Sequence, residues 1–213
     1  PALATGNTVV AKPSEITPMT AYLLSKICKE INFPKGVLNI IHGRGEKLGD
    51  ALTTHQDVPI VSFTGGSDTG KHISKVTAPY FKKLSLELGG KNPNIIFDDC
   101  DFDKAVSTAS RAAFTNQGQI CLCGSRVFVQ NKIYEKFKSA LVDKAKKLIV
   151  GDPKNSNSHL GAVVSEEHMN KILLKINEAK KLGGILLCGG ERLILEGELK
   201  NGYYIQPTVF ENL

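Results

Sequence analysis

The feature that most constrains the fold of this 213-residue chain is a regular alternation in its first ninety residues. Residues 8–11, 37–41, 60–63 and 84–88 are short, mostly apolar runs, the first three of them rich in β-branched side chains, and read as strands. Residues 17–31, 46–54 and 67–78 lie between them with helical spacing. Strands that alternate with helices imply β-α-β units, because two parallel neighbours need a long crossover connection. The expectation is an α/β fold with an open parallel sheet covered on both faces. Ligands of such sheets sit at the carboxyl ends of the strands. Three of these strands run into chemically useful turns, Lys12-Pro13-Ser14-Glu15, His42-Gly43-Arg44-Gly45 and Thr64-Gly65-Gly66-Ser67, where a nucleotide is expected.

The pattern restarts after Gly89-Gly90, which places a domain boundary near Gly90 and divides the chain into residues 1–89 and 90–213. Residues 94–97 read as strand, 101–114 as helix, 126–130 as strand and 133–149 as a long basic helix. A loop at 151–158, a helix at 166–182, a strand at 185–188 and a hairpin region up to Gly202 follow, and 203–210 reads as one extended segment. The chain enters directly into a turn and strand at Pro1 and stops after an extended segment, so it reads as an internal piece of a longer protein.

Several function classes are disfavoured by composition. The net charge of +6 comes from lysines on helical faces, such as Lys136, Lys138, Lys144, Lys146 and Lys147. No aromatic residues interleave with them as a nucleic-acid surface requires, so no nucleic-acid partner is expected. No apolar run reaches the length of a membrane span, and no membrane partner is expected. Cys28, Cys100, Cys121, Cys123 and Cys188 form an odd set without a paired framework, which fits a reducing, cytoplasmic location.

Five motifs carry candidate chemistry. Gly65-Gly66-Ser67-Asp68-Thr69-Gly70-Lys71 has the spacing of a phosphate-cradling P-loop, but His72 stands where Ser or Thr would hold magnesium. Triphosphate hydrolysis is therefore the weaker reading, and what remains is a glycine-rich approach to an anion at a helix N-terminus. Gly43-Arg44-Gly45-Glu46-Lys47-Leu48-Gly49 is one residue longer than a dinucleotide fingerprint and equally fits a tight turn. Lys12 and Glu15 suit a ribose diol, since an ammonium donates and a carboxylate accepts; a solvated turn before a helix explains the same letters.

The last two motifs carry candidate reactive side chains. Glu87 lies in Leu84-Ser85-Leu86-Glu87-Leu88, where burial would make it a usable base, while an alternating half-buried strand would turn it outward with Ser85. Cys121 and Cys123 lie in the polar, glycine-flanked turn from Phe114 to Arg126, between a helix and a strand. A thiol in such a turn suits nucleophilic attack on a carbonyl, whereas a buried thiol is structural. Zinc needs further ligands, and no second closely spaced pair exists, so no metal is expected.

Taken in order, Lys12-Pro13-Ser14-Glu15, Phe63-Thr64-Gly65, Leu86-Glu87-Leu88-Gly89-Gly90-Lys91 and Asn116-Gln117-Gly118-Gln119-Ile120-Cys121 resemble the aldehyde dehydrogenase superfamily across essentially the whole chain. The resemblance implies that residues 1–89 are the C-terminal part of an open parallel-sheet NAD-binding domain. It implies that residues 90–213 are most of an α/β catalytic domain, incomplete at its C-terminus. Cys121 takes the place of the nucleophile and Glu87 that of the general base. Lys12 and Glu15 take the place of the residues that hold the adenosine ribose, and an acid at Glu15 favours NAD over its 2′-phosphorylated form. Gly45, Gly49, Phe63, Thr64, Gly65, Gly66 and Leu88 complete the implied cofactor contacts, although the family usually carries Ser where Gly66 stands. The implied substrate is a small-molecule aldehyde, and the implied full-length protein is a homo-oligomer.

Other parts of the family pattern are not in the chain. The oxyanion-hole asparagine would precede Pro1, and the nicotinamide-ribose glutamate would follow Leu213. A catalytically incomplete binding module is therefore the alternative reading. Ile120-Cys121-Leu122-Cys123 together with Lys82-Lys83-Leu84-Ser85-Leu86-Glu87 is most similar to a branch that oxidises a semialdehyde. A reductase that passes its thioester to phosphate or coenzyme A is disfavoured, because Glu87 suits hydrolysis.

Overall fold

The computed structural model describes residues 1–213, which form two compact units, Pro1–Gly89 and Gly90–Leu213. In the first unit the order is β1 (Val9–Ala11), α1 (Met19–Glu30), β2 (Leu38–Ile40), α2 (Gly45–Thr53), β3 (Ile60–Gly65), α3 (Ser67–Thr77) and β4 (Lys83–Leu88). β1 pairs with β2 in parallel from Val9 opposite Leu38 to Ala11 opposite Ile40. β3 pairs with β4 in parallel from Ile60 opposite Lys83 to Gly65 opposite Leu88.

The strands pair in parallel as the alternation leads one to expect, and their ladders form two pairs, β1 with β2 and β3 with β4. α1 connects the paired strands β1 and β2 and α3 connects β3 and β4, whereas α2 connects two strands that do not pair, and the spacing of apolar residues carries no instruction for joining one pair to the next. The core of this unit is correspondingly small. Val61, Ile73 and Gly70 are buried, and Thr77 satisfies its buried hydroxyl by donating to the Ile73 carbonyl at 2.7 Å. α1 buries no residue, and Met19, Tyr22, Leu23 and Ile27 stay exposed along it, as does Ile31 just past its end. It begins at Met19 rather than Thr17, because a residue that precedes proline is pushed out of the helical region by the Pro18 ring.

The second unit contains β5 (Pro93–Ile96), α4 (Phe102–Phe114), β6 (Arg126–Val129), α5 (Tyr134–Lys146), α6 (Glu166–Lys181), β7 (Ile185–Cys188), β8 (Arg192–Leu193), β9 (Tyr204–Ile205) and β10 (Val209–Glu211). β5 and β6 are parallel, with Pro93 opposite Arg126 and Ile96 opposite Val129. α4 starts cleanly because the Asp101 carboxylate accepts the Lys104 N–H at 3.3 Å, a cap that satisfies a donor the helix leaves free. Ser165 does the same for α6 by accepting the His168 N–H at 3.1 Å. Glu166 and Glu167 at the first turn of α6, and Lys180 and Lys181 at its last, complement the helix dipole.

Ile96, Val106, Ala109, Phe137 and Leu141 form the main core, which holds α4 and α5 against β5. A second cluster gathers Val150, Leu160 and Tyr204. It explains why α5 stops at Lys146 and does not run to residue 149. Val150 bridges Leu160, and the Ile149 carbonyl accepts from the His159 and Leu160 N–H groups, so this stretch is drawn into strand-like pairing.

The segment 203–210 is likewise not one strand. β9 pairs antiparallel with β8 and β10 pairs antiparallel with β7, with an irregularity in register between Val209 and Phe210. Pro207, which has no N–H to give to a ladder, lies in the break.

Candidate active site

The thiol turn is built by the way α4 ends. Thr115 leaves helical geometry and donates its hydroxyl to the Arg111 carbonyl at 2.7 Å, closing the last turn. Asn116, Gln117 and Gly118 then take φ of 51°, 56° and 72°, three successive residues in the left-handed region. Glycine adopts that region freely, but two non-glycine residues do so only when their surroundings hold them there. The Gln119 N–H bonds the Asn116 carbonyl at 2.9 Å and closes the reversal.

A second tight turn follows at once, with the Cys123 N–H donating to the Ile120 carbonyl at 3.1 Å. Cys121 sits inside this turn, exposed, beside an 81% exposed Leu122, while Cys123 is only 8% exposed. The two thiols therefore have opposite surroundings. Neither the Cys121 nor the Leu122 backbone N–H has an acceptor in the protein, so two donors beside the exposed thiol are free. The Gly124 N–H bonds the Ala112 carbonyl at 3.2 Å and pins the far end of the turn to α4. A Cβ on Gly124 would lie 3.2 Å from the Asn94 Cβ, so a larger residue there would push the turn away from β5.

A residue that sequence reasoning missed completes this arrangement. Asn92 donates its side-chain amide to the Cys121 carbonyl at 2.6 Å and to the Cys123 carbonyl at 3.3 Å. Its only signal in the sequence is a polar residue between a Gly-Gly-Lys run and a proline, which does not reveal a partner 29 residues away.

Glu87 lies in β4, where exposed Lys83, Ser85 and Glu87 alternate with half-buried Leu84, Leu86 and Leu88. The outward-facing alternative is therefore the observed one. Its register partner in β3 is Thr64.

The other expected cofactor residues fall into two groups within the first unit. Lys12, Glu15 and Gly45 come together at the ends of β1 and β2. The Lys12 ammonium donates to the Pro13 carbonyl at 2.8 Å and the Gly43 carbonyl at 3.2 Å, and pairs with Glu15 at 3.3 Å. Glu15 in turn accepts the Gly45 N–H at 3.4 Å. Backbone N–H donation, first from Glu15 itself and then from Gly45, together with Lys12, holds the Glu15 carboxyl below its usual range.

A cleft of about 370 Å³ opens beside them, lined by Pro13, Glu15, Pro18, Met19, Tyr22 and His42 among others. The Tyr22 and His42 rings meet edge to face across it at 6.4 Å. Phe63, Gly65, Gly66 and Leu88 form the second group, at the ends of β3 and β4. A Cβ on Gly65 would fall 2.5 Å from the Phe63 ring, and one on Gly70 would fall 2.6 Å from the Leu88 side chain. The Leu88 side chain thus packs against α3. Gly45, Gly49 and Gly66 differ, because a Cβ on any of them would meet nothing within 4 Å. No packing in the protein requires glycine at these three places. Gly49 lies inside α2 and touches neither group.

His72 pairs with Asp50 at 2.7 Å, and the Lys71 ammonium reaches only Asp68, at 3.8 Å. No group of three or more His, Cys, Asp or Glu side chains is arranged to hold a metal ion. No helix is long and apolar enough to cross a membrane.

The architecture and the thiol turn define an α/β protein with an exposed cysteine presented between a helix and a parallel strand. The whole of residues 1–213 matches the model of the aldehyde dehydrogenase family, and the chain belongs to that family. It is 45% identical over its full length to a 2-aminomuconic semialdehyde dehydrogenase of Danio rerio, of which it covers 44%. It is also 45% identical to 4-trimethylaminobutyraldehyde dehydrogenase A of Danio rerio, again over its full length and over 42% of that protein. The crystal structure of a betaine aldehyde dehydrogenase from Staphylococcus aureus in complex with NAD+ superposes with a TM-score of 0.95 at 46% identity, covering all of this chain and 42% of that one. The chain thus spans less than half the length of these relatives.

Proposed function

We propose that the protein carrying this chain oxidises an aldehyde to the carboxylic acid with NAD, using Cys121 as nucleophile. The observation that carries this reading is the exposed Cys121 thiol, held in a turn with two unpaired backbone N–H groups beside it. In this reading residues 1–89 bind the cofactor and residues 90–213 carry the reacting thiol.

The first unit fits the cofactor. Glu15 accepts from a ribose hydroxyl while Lys12 holds its carboxylate in place, and the cleft beside Tyr22 and His42 is large enough for part of a nucleotide. The space above Gly45 and Gly66 lets backbone approach a ligand, and the N–H groups at the start of α3 favour the pyrophosphate. Phe63, Thr64, Gly65 and Leu88 line the strand ends next to it. NAD, when bound, accepts the hydride that leaves the substrate carbon.

The chain's own residues do the rest. The Cys121 thiolate attacks the aldehyde carbonyl to form a thiohemiacetal, and the Cys121 N–H donates to the oxygen as it gains charge. After oxidation the acyl group remains on Cys121 as a thioester. Glu87, exposed and therefore open to water, takes a proton from the water that hydrolyses it. The carboxylic acid leaves and the thiol is restored.

For the substrate, 2-aminomuconate semialdehyde is the leading choice on the strength of Ile120-Cys121-Leu122-Cys123 and Lys82-Lys83-Leu84-Ser85-Leu86-Glu87; overall identity does not choose, since relatives named for 4-trimethylaminobutyraldehyde and betaine aldehyde match this chain as well as those named for the semialdehyde. Five free thiols fit a cytoplasmic setting, and the full-length protein is read as a homo-oligomer. The test is aldehyde-dependent NADH formation by the full-length protein with 2-aminomuconate semialdehyde, 4-trimethylaminobutyraldehyde and betaine aldehyde in parallel. The first should give the largest kcat/KM, and Cys121→Ser should abolish turnover with all three. A Cys121→Ser protein that still turns over removes the proposed nucleophile.

A further inference from the structure

We propose that Asn92 is the positioning residue of the thiol turn, a two-pronged amide clamp that fixes the Cys121 backbone for attack; the proposal rests on the reading of Cys121 as nucleophile. Asn92 is itself well anchored. Its carbonyl accepts the Arg126 N–H at 3.2 Å, and the Arg126 side chain donates back to the Lys91 carbonyl at 2.8 Å, so residues 91 and 92 are tied to the start of β6. From that base the amide nitrogen reaches the Cys121 and Cys123 carbonyls. An asparagine amide has two N–H donors, one for each carbonyl, so both are used.

The geometric consequence follows from peptide planarity. A held carbonyl is a held peptide plane, and in a trans peptide the following N–H points the opposite way. Fixing the Cys121 carbonyl on Asn92 therefore turns the Leu122 N–H away from Asn92, and that N–H has no acceptor in the protein. Together with the bond from the Cys123 N–H to the Ile120 carbonyl, the clamp leaves the backbone at Cys121 little freedom. No other side chain outside residues 120–124 hydrogen-bonds to this turn, and Cys121 and Leu122 are too exposed to be held by packing. Without Asn92 the exposed half of the turn is tethered only at its two ends. A nucleophile that must meet a carbonyl carbon in a narrow range of approach loses rate when its backbone drifts by a fraction of an ångström.

The test uses the full-length protein with Asn92→Asp, which keeps the shape and removes the donors, and Asn92→Ala as a second variant. Two readouts are taken. Hydrogen exchange across residues 119–126 should quicken about tenfold or more, the loss expected when two neutral hydrogen bonds go together. The kcat per alkylatable Cys121 should fall by a similar factor of about ten, with the KM for NAD within about twofold of wild type. Unchanged exchange overturns the clamp. Faster exchange with unchanged kcat per thiol overturns its positioning role, and so does a KM for NAD that rises in step with the loss of kcat. If the wild-type protein forms no NADH from any aldehyde, the proposed function fails and the positioning role fails with it, while the exchange result still decides the clamp.

Discussion

Phe137→Ala should unfold the second unit's core more severely than any single change at its surface. Phe137 is fully buried, packs edge to face on Phe102 at 5.9 Å and 82°, and joins Ile96, Val106, Ala109 and Leu141 in the main core. Truncation to alanine removes side-chain transfer energy of about 2 kcal/mol and leaves a cavity worth about another 2 kcal/mol, which places the cost near the middle of the 3–5 kcal/mol range for such changes. The aromatic pair with Phe102 adds about 0.5–1.5 kcal/mol that Phe137→Leu would also lose. With a urea dependence of about 2 kcal/mol per molar, the denaturation midpoint should fall by about 2 M for Phe137→Ala. Phe137→Leu should lose about half as much, because most of the volume is refilled. The effect should reach the thiol turn, since α5 holds α4 and α4 supplies the Ala112 carbonyl that pins Gly124. Urea melts of the two variants, followed by far-ultraviolet circular dichroism, measure this. A loss below about 1 kcal/mol for Phe137→Ala, or equal losses for Ala and Leu, would refute the packing account.

Three further outcomes follow from the same structure. Cys123→Ser places a hydroxyl in a site only 8% exposed and should cost about 1–3 kcal/mol in a urea melt while leaving more activity than Cys121→Ser; the reverse ranking of activities would count against the proposed division of roles. Tyr134 donates to Glu211 at 2.6 Å and Lys138 pairs with Glu211 at 2.8 Å, a network in which the Glu211 carboxyl is held below its usual 4.5, chiefly by Lys138, and the Tyr134 phenol above its usual 10.0, chiefly by Glu211. Stability from Glu211 is present above pH 4.5 and lost as the pH falls through its lowered value, and that from Tyr134 is present below pH 10.0 and lost as the pH rises through its raised value. Glu211→Gln should therefore lower the Tyr134 titration midpoint seen by ultraviolet absorbance, and an unmoved midpoint would refute the assignment. Asp101→Ala removes the cap of α4 and should cost about 1 kcal/mol, measured by thermal melting; no change would mean that solvent satisfies the Lys104 N–H equally well.

Much of the fold was legible because helix and strand periods are local. The reading of 67–78 as helix differs from α3 by one residue, and 185–188 coincides with β7, since in each case apolar spacing and flanking glycines decide the matter within the segment itself. Boundaries failed where a distant partner intervened. α5 ends early because Val150 pairs with Leu160, and the stretch 203–210 splits because its two halves join β8 and β7. In the candidate site the letters around Cys121 and Cys123 announced a special turn but left their exposures undecided.

By itself the sequence determined the α/β class, the order of nearly every helix and strand, and, through its ordered motifs, membership of the aldehyde dehydrogenase family. Only the tertiary structure decided that the parallel strands stand in separate pairs, that Glu87 faces outward, that Cys121 is exposed where Cys123 is buried, and that Asn92 reaches both of their carbonyls. The physical reason is the range of the forces involved. Periodicity and turn chemistry act between residues a few places apart and leave a mark in the sequence. Sheet pairing, burial and side-chain clamps act between residues brought together from far along the chain, and no local pattern records them.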